Sequence, residues 1–245
     1  MKRVFLLLFI LIIVVSCNLK NGDLEIENDA KIDLFGNNNT NTEVKEKQIK
    51  PKSNSTLNTA EKLLKASVNI YSYLENGELV SSGSGAFINA NLIVTNLHVI
   101  EKGSKHMFNT NDNKTNNKLI IYKIDPIHDI AILKSSYYKS DLFLNLVRKF
   151  PKIGDEILVC GAPEGLEGTI SNGIVSSIRK NKPYDFDLIQ FTAPISFGSS
   201  GGPLINNKME LIGITVSGID RNDAQNLNFA VPSKYIINLL DLENN

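Results

Sequence analysis

The sequence predicts an all-β domain, a barrel or a sandwich. Short runs rich in Val, Ile, Leu and Phe recur from residue 68 to residue 214, and Gly, Pro and Asn turns separate them. Helical spacing is confined to two stretches, one at each end of this region. The first covers residues 57–67, where Leu57, Ala60, Leu63, Leu64 and Ser67 fall on one face. Residues 68–74 then alternate as a strand. Strand-like runs follow at 87–88, 92–94, 119–122, 130–133, 157–159, 174–178, 188–191 and 211–214. Residues 233–240 predict a closing helix, with Ser233 as its cap and Ile236, Ile237, Leu239 and Leu240 as its apolar face.

Of the 245 residues, 42% are hydrophobic and 21% are charged, a balance that suits a globular domain with a real core. The 26 basic and 26 acidic residues cancel. Without residues 1–16, which hold Lys2 and Arg3 and no acid, 24 basic residues face 26 acidic ones. Such a chain has no electrostatic basis for binding nucleic acid. No cysteine-histidine cluster has metal-ligand spacing, and no cofactor motif is present. Cys160 lies in the apolar run Ile157-Leu158-Val159-Cys160 and reads as a core residue.

Residues 1–17 read as an export signal. Lys2 and Arg3 precede an apolar run over residues 4–15, too short to span a bilayer comfortably. Its end, Val14-Val15-Ser16-Cys17, resembles a bacterial lipobox with Cys17 as the lipidated residue, although valine stands where leucine is usual. An ordinary secretory signal with an incidental cysteine is the other reading. Residues 18–56 are polar and rich in Asn, Lys, Glu and Thr, and they predict a flexible tether. The expected location is the cell envelope, with the chain anchored to a membrane through the lipid on Cys17.

Three segments carry chemistry. Gly198-Ser199-Ser200-Gly201-Gly202-Pro203 offers a serine between glycines, with exposed N–H groups around an accessible hydroxyl. Leu92-Ile93-Val94-Thr95-Asn96-Leu97-His98 ends an apolar strand on a histidine. Asp125-Pro126-Ile127-His128-Asp129 leads an aspartate into another strand. Base, orienter and nucleophile thus follow in the order His98, Asp129, Ser200. Singly, each has an ordinary structural reading: a flexible turn, a structural histidine, a capping aspartate. His128 adjoins Asp129 and, in an extended segment, points to the opposite side. His106 sits in a Lys/Asn-rich loop without a partner motif.

These segments resemble the trypsin-like serine proteases, and most of all the high-temperature-requirement branch of bacterial proteases. Gly83-Ser84-Gly85, Gly161-Ala162-Pro163-Glu164-Gly165, Thr169 through Ser176, Leu211-Ile212-Gly213-Ile214 and Asn228-Phe229-Ala230-Val231-Pro232 extend the likeness over roughly residues 60–241. The resemblance implies two six-stranded antiparallel β-barrels with the active site between them and a short C-terminal helix, making residues 57–245 the protease domain. It implies Ser200 as nucleophile, His98 as base, Asp129 as orienter, and the N–H groups of Gly198 and Ser200 as an oxyanion hole. It places the primary specificity pocket at Ile195, Ser196, Val216, Ser217, Gly218 and Phe229. None of these is acidic, so an aliphatic side chain is expected there rather than Lys or Arg. Asp220 and Asp223 read as solvated turn residues, while Thr192 and Ser196 leave room for a polar contact. Ser199 stands where digestive relatives carry an aspartate, so activation by a newly cut N-terminus is not expected.

Members of the branch usually carry PDZ domains after the protease domain. The sequence ends at Asn245, just past the predicted helix, so none is expected here. Expected partners are polypeptide substrates and a membrane, not nucleic acid, and an oligomer stays open because the branch often forms trimers. The expected function is endopeptidase cleavage of unfolded or exposed proteins. The alternatives are a protease with one processing target, or a surface binding or chaperone-like protein on a protease fold with weak catalysis.

Overall fold

The computed structural model describes residues 53–111, 117–162, 166–182, 184–216 and 227–242. Helix α1, Ser53–Ala66, runs directly into strand β1, Ser67–Tyr73. The junction is tied by the Ser67 hydroxyl, which donates to the Leu63 carbonyl at 2.6 Å. There follow β2 (Leu79–Phe87), β3 (Leu92–Thr95), β4 (Lys105–Thr110), β5 (Asn117–Asp125) and β6 (Ile130–Ser135). They pair in the order β1-β2-β3-β6-β5-β4, and β4 returns antiparallel to β1, closing a six-stranded barrel.

The second barrel uses β8 (Glu156–Gly161), β9 (Thr169–Asn181), β10 (Phe186–Phe191), β11 (Pro203–Asn206), β12 (Glu210–Val216) and β13 (Asn228–Pro232). Their order is β11-β8-β9-β10-β13-β12, and β12 pairs back onto β11 to close it. A two-residue strand β7, Asn145–Leu146, runs parallel to the start of β12. Helix α2, Ser233–Asp241, follows β13. The architecture is two six-stranded antiparallel barrels with a short C-terminal helix, as the resemblance implies.

Three apolar clusters explain the continuous runs. One fills the first barrel, including Val68, Ile70, Phe87, Ile93, Phe108 and Leu133. One fills the second, including Val159, Val175, Ile189, Phe191, Leu204 and Ala230. The third joins the barrels and both helices, bringing Leu63 and Ala66 of α1 against Ile130 and Ile132 of β6, Ile214 of β12, and Tyr235, Ile236 and Leu239 of α2. On β6, Ile130 and Ile132 face this seam while Ala131 and Leu133 face the barrel interior. Both faces are buried, so the strand reads Ile-Ala-Ile-Leu without polar alternation.

Several expectations change. β4, β7 and β11 escape the apolar-run pattern: β4 opens on Lys105-His106, and β7 and β11 are only two and four residues long. Ser233 does not cap α2. Pro232 holds the N-cap position, and the Ser233 hydroxyl donates to the Val147 carbonyl at 2.5 Å instead. Tyr235, outside the predicted apolar face, is buried in the seam. At the other end of α2, the Lys123 ammonium donates to the Leu239 and Leu240 carbonyls, 3.0 Å each, satisfying terminal acceptors that the helix cannot. Among the described residues, no helix is long and apolar enough to cross a membrane.

His128 lies in a turn rather than an extended segment. Its Nδ1 is 2.6 Å from Asp125 Oδ2, and its ring stacks on Tyr235 with centroids 3.9 Å apart. His106 is not in a loop and not partnerless. It is buried on β4 with Nδ1 3.1 Å from the Ser72 hydroxyl oxygen. That hydroxyl spends its single proton on the Val99 carbonyl at 2.9 Å, so His106 must be the donor through Nδ1. Burial pushes the His106 pKa below the ordinary histidine value. The unfolded chain therefore takes up a proton below about pH 6.5 that the folded ring resists, and stability falls as pH drops from there toward the folded pKa. Between about pH 7.5 and about pH 5, the wild-type urea midpoint is expected to fall further than that of His106→Gln, which keeps a donor for Ser72. Parallel pH profiles for the two proteins would contradict this.

Candidate active site

Strands β3 and β6 pair with Thr95 opposite Ala131. Continued past both strand ends, this register sets Asp129 beside Leu97, next to His98. The chain leaves β3 in a single 3-10 turn, Leu97–Val99. The Leu97 N–H donates to the Asp129 carbonyl at 3.2 Å. Asn96, wholly buried, sends its side-chain Nδ2 to the same carbonyl at 3.0 Å.

The Asp129 carboxylate grips His98 twice. Oδ1 accepts the His98 backbone N–H at 2.9 Å, and Oδ2 lies 2.7 Å from the ring Nδ1. A carboxylate only accepts, so Nδ1 carries the proton and Nε2 of the neutral ring keeps its lone pair. That is the nitrogen a general base needs. The pair is reachable, with side chains 41% and 31% exposed. Asp129 adopts φ +54°, in the left-handed region. This conformation costs a non-glycine residue about 1–3 kcal/mol, though aspartate tolerates it better than most. The two bonds to its carbonyl and the two to its carboxylate hold it there.

Ser200 sits in the loop between β10 and β11. Gly198 and Gly201 both take left-handed backbone, with φ +93° and +81°. The Ser200 carbonyl accepts the Ser84 N–H of β2 at 2.8 Å, and Gly201 N–H donates to the Thr215 carbonyl at 2.8 Å. A side chain at Gly201 would place its Cβ 2.2 Å from Thr95 Oγ1 and 3.0 Å from the Asn96 nitrogen. One at Gly83 would meet Val99 at 2.7 Å and the Ser200 carbonyl at 3.0 Å. The loop carrying Ser200 therefore meets the turn carrying His98 over Gly83 of β2, with no side chain between them. Ser199 is 2% exposed; its carbonyl accepts from the Thr215 hydroxyl, and its Cα is 3.0 Å from where a Gly161 Cβ would stand. Ser200 is 5% exposed, so the two adjacent serines differ in their partners rather than in burial. Among the described residues, nothing accepts the Gly198 N–H.

The expected pocket residues are partly placed. Ile195 packs against the core of the second barrel. Ser196 faces Ser199, accepting its N–H at 3.0 Å. Val216 and Phe229 stand opposite each other on β12 and β13. None of these four carries charge. Ser217 and Gly218, with Asp220 and Asp223, lie outside the described residues, as does Cys17. Thr192 accepts the Ile174 N–H at 2.9 Å through its hydroxyl oxygen. Burial pushes the Cys160 thiol up to about 11, as a core cysteine requires.

Residues 83–214 match the trypsin-like peptidase domain, a span that holds His98, Asp129 and Ser200. The chain belongs to this family. Over 168 residues, 68% of its length, the chain is 31% identical to anti-sigma-I factor RsgI9 of Acetivibrio thermocellus, of which it covers 23%. It is 32% identical over 174 residues to an HtrA-like serine protease of Staphylococcus aureus strain USA300, a match covering 62% of this chain and 22% of that protein. The chain therefore spans under a quarter of the length of these curated relatives. Among solved structures, the serine endoprotease from Yersinia pestis superposes with a TM-score of 0.64 at 26% identity, over 76% of this chain and 65% of that one.

Two positions in this peptidase domain escape sequence reasoning as site residues. Asn96 is one, visible only as a polar residue closing an apolar strand. Ser84 is the other, a buried hydroxyl flanked by glycines within a strand. Gly201→Ala is expected to lower stability by about 2–5 kcal/mol, summing left-handed strain and overpacking against Thr95 and Ser84. Urea denaturation measures it, and an unchanged midpoint would show that the loop yields freely.

Proposed function

We propose that this domain is a serine endopeptidase in which Ser200 is the nucleophile, His98 the base and Asp129 the orienter. The observation that carries this is the two-point grip of Asp129 on His98, which commits Nδ1 as donor and leaves Nε2 to accept. Ser200 Oγ attacks the scissile carbonyl while its proton passes to Nε2. The resulting imidazolium is stabilised by Asp129 and returns the proton to the departing amine. Water then attacks the acyl-enzyme with His98 again as base, releasing the new carboxyl group and Ser200. The N–H groups of Gly198 and Ser200 hold the oxyanion in both steps, an effect worth about 2.7–4 kcal/mol per donor in the transition state. The uncharged set Ile195, Ser196, Val216 and Phe229 supports an aliphatic residue before the cut, because a buried cation there would have no partner.

The substrates we propose are unfolded or exposed protein segments of the cell envelope. The membrane anchor is the lipid on Cys17, a reading supported by the basic start, the apolar run and the Val-Val-Ser-Cys end of the sequence. A second reading, binding without catalysis on a protease fold, is favoured by the likeness to a protein named as an anti-sigma factor.

One experiment separates the two readings. Wild-type protein is expected to react with a fluorophosphonate probe and to cut denatured casein after Val, Ala or Ile, and Ser200→Ala to do neither. A wild-type protein inert to the probe favours the binding reading, and dominant cleavage after Lys or Arg means the pocket is assigned wrongly. For the anchor, Cys17→Ala is expected to leave the detergent phase after phase separation. Unchanged partition of the mutant rules the lipid out.

A further inference from the structure

Ser84 makes four hydrogen bonds at the seam, and nothing in the reaction just described uses it. It is 1% exposed on β2, opposite Asn69 of β1. Its N–H donates to the Ser200 carbonyl at 2.8 Å. Its carbonyl accepts the Thr95 hydroxyl at 2.7 Å, three residues before His98. Its own hydroxyl donates to the Gly198 carbonyl at 2.7 Å and accepts the Ala162 N–H at 3.0 Å. The two backbone bonds need no particular side chain. The two hydroxyl bonds need a group that donates once and accepts once, which a serine supplies and an alanine or glycine does not.

The partner of that hydroxyl is a backbone that resists rotation poorly. Gly198 takes φ +93°, and glycine passes between left- and right-handed regions at little cost. A catalytic N–H on such a residue is useful only if its direction is held, since misplaced donors forfeit most of their effect on the transition state. The Gly198 carbonyl lies in one planar peptide with the Ser199 N–H, which reaches back to the Ser196 carbonyl at 3.0 Å. The Ser84 hydroxyl holds the other edge of that peptide, from the opposite barrel, and ties it through Ala162 to the end of β8; with the peptide after Gly198 fixed, only rotation at the Gly198 Cα is left to swing its N–H.

We propose that Ser84 is a positioning residue for oxyanion stabilisation: its hydroxyl holds the Gly198 carbonyl across the seam and thereby aims the Gly198 N–H. The proposal rests on the peptidase reading above. A buried serine with two satisfied bonds is often structural and nothing more, so the test separates rate from stability.

Reaction of wild-type protein with a fluorophosphonate, and its loss in Ser200→Ala, first establishes the peptidase reading; failure there overturns that reading and this proposal's premise with it. Ser84→Ala and Ser84→Cys are then compared with wild type for kcat, KM and Tm on one peptide substrate. The expected result for Ser84→Ala is a kcat lower by about 10–100-fold, less than deletion of an oxyanion donor, with KM changed less than about threefold. Ser84→Cys, a weaker donor of similar shape, should fall between it and wild type. Wild-type kcat in Ser84→Ala, or a loss carried by KM alone, overturns the proposal. If Ser84→Ala does not fold, Ser84→Cys decides by the same criteria. Failure of both to fold makes the residue structural and also overturns it.

Discussion

A candidate site divided between two barrels can work only if the barrels are held in one register, and the seam between them carries that demand. His98 and Asp129 come from the first barrel, whereas Gly198 and Ser200 come from the second. The apolar cluster along the seam takes residues from β2, β3, β6, β12 and both helices, so neither barrel can slide without opening packed space. Interiors at this density do not deform continuously. Hydrogen bonds from β2 then supply the fine adjustment that apolar contact cannot, because they are directional. The Ser84 N–H and hydroxyl hold the loop of Gly198 and Ser200 at two points, and its carbonyl reaches Thr95 ahead of His98.

Close approach of backbones is the second demand, and glycine meets it. Gly83 and Gly201 are the positions where a side chain would collide with the other half of the site. Asp129 meets a related demand differently. Its left-handed backbone is the geometry that lets one carboxylate reach both the backbone and the ring of His98. Local strain is tolerated because four hydrogen bonds converge on that one residue, and strain held in place by its surroundings is common where geometry must be fixed before a substrate arrives.

The three histidines show how environment sorts one residue type into three roles. His98 is part-exposed beside a carboxylate and has a nitrogen to spare. His128 has a carboxylate too, Asp125, but its ring is stacked on Tyr235 and edge-on to Phe186, so it fastens the Asp125–Asp129 turn to the second barrel. His106 is buried beside the Ser72 hydroxyl, and its Nδ1 proton goes to that oxygen. Two of the three sit beside an aspartate, and only the path of the chain distinguishes a candidate base from an aromatic clamp.

Strand identity, family and the segments bearing His98, Asp129 and Ser200 were legible in the sequence by itself, because each rests on local residue pattern: apolar runs between turn residues, a serine among glycines, a histidine and an aspartate at strand ends. The folding of both helices was legible for the same reason, as spacing along one face. What the pattern did not contain was anything that depends on a distant partner. β4 opens on Lys105-His106, polar in sequence, and is a strand because β1 and β5 pair with it. Ser233 has the chemistry of a cap, but it stands one residue inside the helix, after Pro232, and its hydroxyl donates to the Val147 carbonyl. Tyr235 and Ser84 are unremarkable until the second barrel closes over them. Their roles were decided by tertiary structure alone, since a hydrogen bond or a stacked ring between residues a hundred positions apart leaves no periodic trace in either segment.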